Sequence, residues 1–341
     1  MAQGPAYSGR KSSAPWDRLR PVKQDPLESM GFVSKGDNRL LDPKTQETFY
    51  NKIVARYMQF CTQHSKDLDS AFASLTLDEG RSTSADPARS PALPAPAASI
   101  ERRPLPPQVS LQMGSPAFQA RQPNEMSVPS PSAELSTILL ALRKLREGLL
   151  ATSATAPSPV FSQRVHVFNI RAAILARHPP GYHASLLHLL FVLHTPAHPL
   201  PTSELVEMTT YLILDTALRQ DDLSEAYTLR YNSKVKFGYK SRAVDSILQA
   251  VVMGDWVTFW HVRQKVDGYV RGLLYWYIET QRKLALKAIG RAYYTCDVNW
   301  IIQSATGGDF SWDELVEAED VGWVREGDRV IIRKPKSKSA K

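Results

Sequence analysis

Between Leu229 and Arg242 the chain reads LRYNSKVKFGYKSR, which holds Arg230, Lys234, Lys236, Lys240 and Arg242 with no acid, interleaved with Tyr231, Phe237 and Tyr239. Cations neutralise phosphates and rings stack on bases, so this composition suits contact with RNA or DNA. It suits equally a polar connector between helices whose rings anchor it to a core. A second set, Arg325, Arg329, Arg333 and Lys334, alternates with apolar positions in VGWVREGDRVIIRK. That pattern predicts two strands around Glu326-Gly327-Asp328, with Trp323, Val330 and Ile332 inward and the cations outward. Such a hairpin can lie along a phosphate backbone, or it can be an edge through which two domains pair.

Residue types suited to catalysis or metal binding do not assemble. Histidines stand at 178, 183, 188, 194 and 198, but Pro179, Pro196 and Pro199 interrupt the helical geometry and no Cys or carboxylate completes a ligand set. His188, on the apolar stretch LLHLLF, reads as a core residue. The chain has no glycine-rich phosphate loop, no HExxH and no nucleophile elbow, and Gly307-Gly308 reads as a turn between helices. The expectation is a protein without catalytic residues, metal, cofactor or small-molecule substrate. Ser90, Ser115, Ser130 and Ser158 each precede proline and are candidate sites of proline-directed phosphorylation.

The elements that must position these residues are unevenly distributed over the 341 positions. Eleven of the 24 prolines fall between Pro87 and Pro131, a stretch whose one aromatic is Phe118, so it cannot bury enough apolar surface to offset its ordering entropy. Residues 80–132 read as a disordered linker and 1–38 as a disordered basic arm. A net charge of +8 implies an acidic partner, whether nucleic acid, membrane surface or protein. The closing RVIIRKPKSKSAK is basic as well, as a solvated tail, a nucleic-acid contact or a nuclear-import signal. With Cys61 and Cys296 alone, no disulfide framework forms, and no apolar run is long enough to span a bilayer. A soluble intracellular protein is expected.

Periodicity then predicts helices almost throughout. Asp42 and Pro43 open a segment with Phe49, Ile53, Tyr57 and Phe60 on one stripe, as one long helix or two short ones, docked on the later globule or on a partner. After the linker come Leu135 to Leu150, then QRVHVFNIRAAILARH, GYHASLLHLLFVLH, and SELVEMTTYLILDTALRQ with Ser203 and Glu207 near capping positions. DLSEAYTLRYNSK, a basic connector, SRAVDSILQAVVMG, DWVTFWHVRQKV and a long run from Asp267 to Thr295 follow. Two shorter helices come next, one capped by Asp297 and one by a Ser311/Glu314 capping box, and then the hairpin. The fold class is mainly α: an irregular, TPR-like helical-repeat stack ending in a winged helix. Its divisions are 1–38 arm, 39–79 helical segment, 80–132 linker, 133–279 repeat domain, 280–334 winged helix and 335–341 tail. The helix before the hairpin carries Asp313, Glu314, Glu317, Glu319 and Asp320, too acidic for a recognition helix in a major groove.

A helical stack running into a winged helix resembles the PCI architecture. AVVMGDWVTFWHVRQKV looks like that family's helix pair, with Gly254 ending one helix, Asp255 capping the next, and Trp256, Phe259 and Trp260 facing inward. YWYIETQRKLALKAIGRAYY looks like the helix after it, with Leu284, Leu286 and Ala288 in the core signature. Together they most resemble the GANP-like family and, more distantly, the small proteasome-lid subunit grouped with it. The resemblance implies a non-enzymatic nuclear scaffold of mRNA processing or export, extending to the cytoplasm. Its implied partners are other PCI-type subunits, a small acidic disordered protein, and RNA or DNA, with no membrane. The alternative is a subunit of the proteasome lid, the signalosome or initiation factor three.

Overall fold

The computed structural model describes Leu27 and residues 39–74, 130–152 and 158–333. Apart from Leu27, the arm expected over 1–38 lies outside these residues, as do the linker up to residue 129, Ser90, Ser115, Lys334 and the tail over 335–341. The described chain is mainly helical. Among the described residues no helix is long and apolar enough to cross a membrane.

Short polar side chains set the helix starts. Asp42 accepts the Thr45 N–H at 3.0 Å and Pro43 follows it, opening α1 (Pro43–Gln63). A break follows, then a short helical stretch at 68–74, so the segment is one long helix followed by a short one, between the two expected alternatives. The Phe49, Ile53 and Phe60 stripe of α1 docks on the globule, against α2 (Pro131–Thr152). Gln46 Nε2 donates to Thr152 Oγ1 at 3.0 Å and Arg56 pairs with Glu134 at 2.8 Å.

Helices α3 (Pro159–Leu175), α4 (Pro179–His188), α5 (Thr202–Leu218), α6 (Leu223–Phe237), α7 (Arg242–Met253) and α8 (Trp256–Lys265) then pack in sequential pairs, α3 on α4, α5 on α6 and α7 on α8. One π-helical turn, Leu189–Leu193, prolongs α4. Helix α5 departs from the expected Ser203/Glu207 cap: it starts at Thr202 after Pro201, and Glu207 instead takes both ends of the Arg171 guanidinium on α3 at 2.8 and 2.7 Å. Further along α5, Asp215 is fully buried. It accepts from Tyr182 Oη at 2.7 Å and from Arg219 at 2.6 Å twice, bonds that outweigh burial and hold its carboxyl below the usual range.

Helix α9 (Gly268–Ala292) belongs to two cores. Val270, Leu273 and Leu274 lie in the core of the stack, whereas Ala285, Leu286 and Ile289 enter a second, smaller core, and the boundary expected at 279/280 falls between them inside one continuous helix. Leu284 is exposed and Ala288 only half-buried, which corrects the expected core signature. The inward arc runs through 285, 286 and 289, and each residue step turns roughly 100°, so 284 and 288 fall to one side of it.

The second core adds α10 (Val298–Thr306), α11 (Trp312–Glu319) and a three-stranded antiparallel sheet of β1 (Thr295–Asp297), β2 (Val324–Glu326) and β3 (Arg329–Ile331), in the order β1-β3-β2. The Asp297 cap, the Ser311/Glu314 capping box and the hairpin are present, with Val330 fully buried and Trp323 and Ile332 packed against the core. Strand β1 is a correction: the periodicity carried the helix to Thr295, but it ends at Ala292 and the next residues pair with β3.

The stretch MGDWVTFWHV is the joint between the two cores. Gly254 adopts φ 64° and Asp255 accepts the Thr258 N–H at 3.0 Å. Phe259 is fully buried, half-buried Trp256 packs on both cores, and Trp260 Nε1 donates to the Ser304 carbonyl of α10 at 3.0 Å. Gly307 is needed opposite: it sits at φ 67°, and a Cβ there would meet the Trp260 ring at 2.8 Å.

Candidate nucleic-acid interface

The segment expected to be a connector is largely helix. Asp222 accepts the Glu225 N–H at 2.9 Å to open α6, which continues to Phe237, and Gly238 at φ 72° ends it with its N–H on the carbonyls of the last turn. Lys234 and Lys236 therefore stand in the last turn, where cations complement the helix dipole. Ser241 then caps α7, leaving Lys240 in a four-residue turn and Arg242 at the first position of the next helix. Lys234, Lys236, Lys240 and Arg242 are all exposed, and no ion pair involving them occurs among the described residues.

Arg230 is different: its Nε lies 2.5 Å from Asp245 Oδ1, tying α6 to α7. Of the three aromatics expected to interleave the cations, Tyr239 turns inward, is buried and shares a 2.7 Å hydrogen bond with Thr210. Burial pushes its phenol up from the usual value. Phe237 packs beside it at 6.3 Å, edge to face. Tyr231 alone points outward, 65% exposed, and the helix places Tyr227 and Val235 on the same outer row at four-residue spacing, both exposed. Tyr227 lay just outside the basic run and was missed, although the four-residue step from Tyr231 was readable. The outer face of α6 thus presents two tyrosines with Lys234, Lys236 and the cations of the turn around them.

On its other side α6 borders an apolar groove of about 540 Å³ against the π turn and α5, lined among others by Phe191, Leu212, Leu229, Lys236 and Phe237.

In the hairpin Arg325 and Arg333 are held in place. Arg325 Nε donates to the Gly327 carbonyl at 2.9 Å, bracing its own turn. Arg329 stands in register with Glu326 on β2 and Asp297 on β1, so an acid flanks it on each side. Arg333 donates to the Arg291 carbonyl at 2.7 Å and lies 4.6 Å from the centre of the Tyr294 ring. Beside β1 stand Tyr293, Tyr294 and Trp300, all exposed, with Tyr293 edge-on to Trp300 at 5.3 Å. The acidic helix α11 uses Glu314 in its cap and Glu319 against Arg282 at 3.2 Å.

The histidines serve as caps and packing groups. His178 Nδ1 accepts the Gly181 N–H, His183 lies 3.0 Å from Asp215, and His194 Nδ1 accepts the Leu200 N–H. His188 stacks at 4.9 Å on His166, a buried imidazole that burial, with help from His188 and Arg146, pushes down to about 3.

No protein-family model matches the chain. A comparison with curated proteins likewise finds no match.

Proposed function

We propose that the chain is a non-catalytic scaffold subunit of a multiprotein complex of nuclear mRNA processing or export, and that it touches RNA through the outer face of α6 and the α6–α7 turn. In this reading the paired helices are an irregular TPR-like stack and residues 280–334 are a winged helix, the two parts of a PCI-like module. What supports it most is α9 entering both cores while Trp256 and Trp260 clamp the joint. That arrangement holds two surfaces of different chemistry on one support, as a subunit that positions others requires. The hairpin side, with its committed arginines and its exposed Tyr293, Tyr294 and Trp300, has the residue types that anchor protein–protein interfaces. Its partners are a second subunit of the same architecture and a small acidic disordered protein.

Affinity purification of the full chain from its own cells tests this. RNA-processing factors and a second PCI-type subunit are the expected co-purifying proteins. Recovery of proteasome, signalosome or initiation-factor-three subunits without RNA-processing factors would overturn it.

A further inference from the structure

Helices α2, α3 and α4 border an open cavity of about 400 Å³ whose polar lining includes Ser136, Arg143, Arg146, Asn169 and His178. Arg146 is half-buried among these residues. Nη1 of that residue donates to Ser185 Oγ at 2.6 Å, and Ser185, fully buried, also takes Asn169 Nδ2 at 2.8 Å and donates to the Gly181 carbonyl at 3.1 Å. The guanidinium is thus positioned by neutral groups, and its Nε lies buried without a hydrogen-bond partner.

Among the described residues no carboxylate forms an ion pair with Arg146, and the charge of the adjacent Glu147 only partly offsets its burial. The adjacent Glu147 is bonded to Arg143 Nε at 3.0 Å. Elsewhere in the stack three partly buried arginines that cross between helices meet acids, Arg171 with Glu207, Arg230 with Asp245 and Arg56 with Glu134, while Arg177 lies over the Tyr275 ring at 3.8 Å. Burial, reinforced by Arg143, lowers the Arg146 pKa from its ordinary value, and Arg146 in turn helps lower the two stacked imidazoles, His166 and His188. A guanidinium fixed by its bond to buried Ser185, without an ion pair among the described residues and lining an open cavity, can offer its remaining Nη donors to an oxyanion. The end of α4 adds no backbone donor, because Pro179 and Pro180 have no N–H and the Gly181 N–H is taken by His178 Nδ1.

We infer that this cavity binds a phosphate-type oxyanion, free or as a small phosphate monoester, on the Arg146 fork with Arg143 at its exposed side. The site is separate from the α6 face and does not depend on the RNA reading.

Titration calorimetry on the full chain tests it, with inorganic phosphate as the probe against chloride at equal ionic strength, and glycerol phosphate in a second arm. Wild type is expected to show saturable one-site binding. Arg146→Met should weaken it by about tenfold or more, and Arg143→Gln by a few-fold, consistent with loss of charge-assisted bonds. Arg143 is exposed, so Arg143→Gln keeps the fold and its loss of affinity cannot come from unfolding. Tighter binding of glycerol phosphate assigns the ligand as a monoester, and tighter binding of phosphate assigns the free ion. Absence of saturable binding of both probes, or an affinity unchanged in either variant, overturns the inference.

Discussion

The basic segments 229–242 and 325–333 look alike in sequence and end in opposite states. In the first, a helix and a four-residue turn leave Lys234, Lys236, Lys240 and Arg242 exposed, with Arg230 alone drawn into an ion pair. In the second, three-residue strands tie Arg325 to the Gly327 carbonyl and Arg333 to the Arg291 carbonyl and Tyr294 ring, and set Arg329 in register between Glu326 and Asp297. Counting cations therefore overstates the phosphate-binding capacity of the hairpin. What matters is how many side chains remain unheld by a neighbour after folding, since those can turn to the phosphates and displace their counterions.

The sharpest way to break the comparison lies within the first segment, where two tyrosines eight residues apart point opposite ways. Tyr239→Ala should cost about 3–5 kcal/mol of stability in urea unfolding, the scale of deleting a buried ring, because it empties a core position and leaves Thr210 without its partner. Tyr231→Ala should leave the unfolding midpoint almost unchanged but weaken single-stranded RNA binding by about 1–3 kcal/mol, the worth of one stacked base. Equal stability losses at the two positions would remove the inside/outside distinction. In the hairpin, Arg333→Ala should cost about 1 kcal/mol of stability through its lost hydrogen bond and leave RNA affinity unchanged. The smallest effect is expected at Arg230→Gln, about 0.2–1 kcal/mol of stability for a partly exposed pair, with the salt dependence of RNA binding unaltered. A larger fall in RNA binding for Arg333→Ala than for Tyr231→Ala would reverse the roles assigned to the two segments.

The parts of this arrangement that were legible in the sequence are the local ones. Asp42, Asp255, Asp297 and the Ser311/Glu314 box cap helices within three residues of themselves, and the inward spacing of Phe259 and Trp260 is set by one helical turn. What failed depended on distant residues. Strand β1 is three residues long, too short for its alternation to stand out, and exists because Thr295, Cys296 and Asp297 find Ile331, Val330 and Arg329. Glu207 reads as a capping acid until Arg171 of another helix is brought beside it. Leu284 is as apolar as Leu286, and only the direction from which α10 packs on α9 decides which is buried. At the candidate interface the cations were legible but the rings were not: Gly238 reverses the chain and folds Tyr239 beneath it, and the ion pair of Arg230 could be known only once Asp245 was placed beside it. Arg146 gave no local signal, since its distinction is that Glu147 and Glu134 of its own helix pair with Arg143 and Arg56 instead.

The central claim is that the exposed cations of the α6–α7 segment, and not those of the hairpin, carry the contact with RNA. The most direct measurement is the slope of log affinity against log salt for single-stranded RNA, taken for wild type, for Lys234, Lys236, Lys240 and Arg242 together changed to Gln, and for Arg325, Arg329 and Arg333 together changed to Gln. Each phosphate contact on a single strand contributes about 0.7 to that slope. The account predicts a slope reduced by roughly 2–3 in the first variant and little changed in the second. A slope unaltered in the first variant, or reduced only in the second, would contradict it.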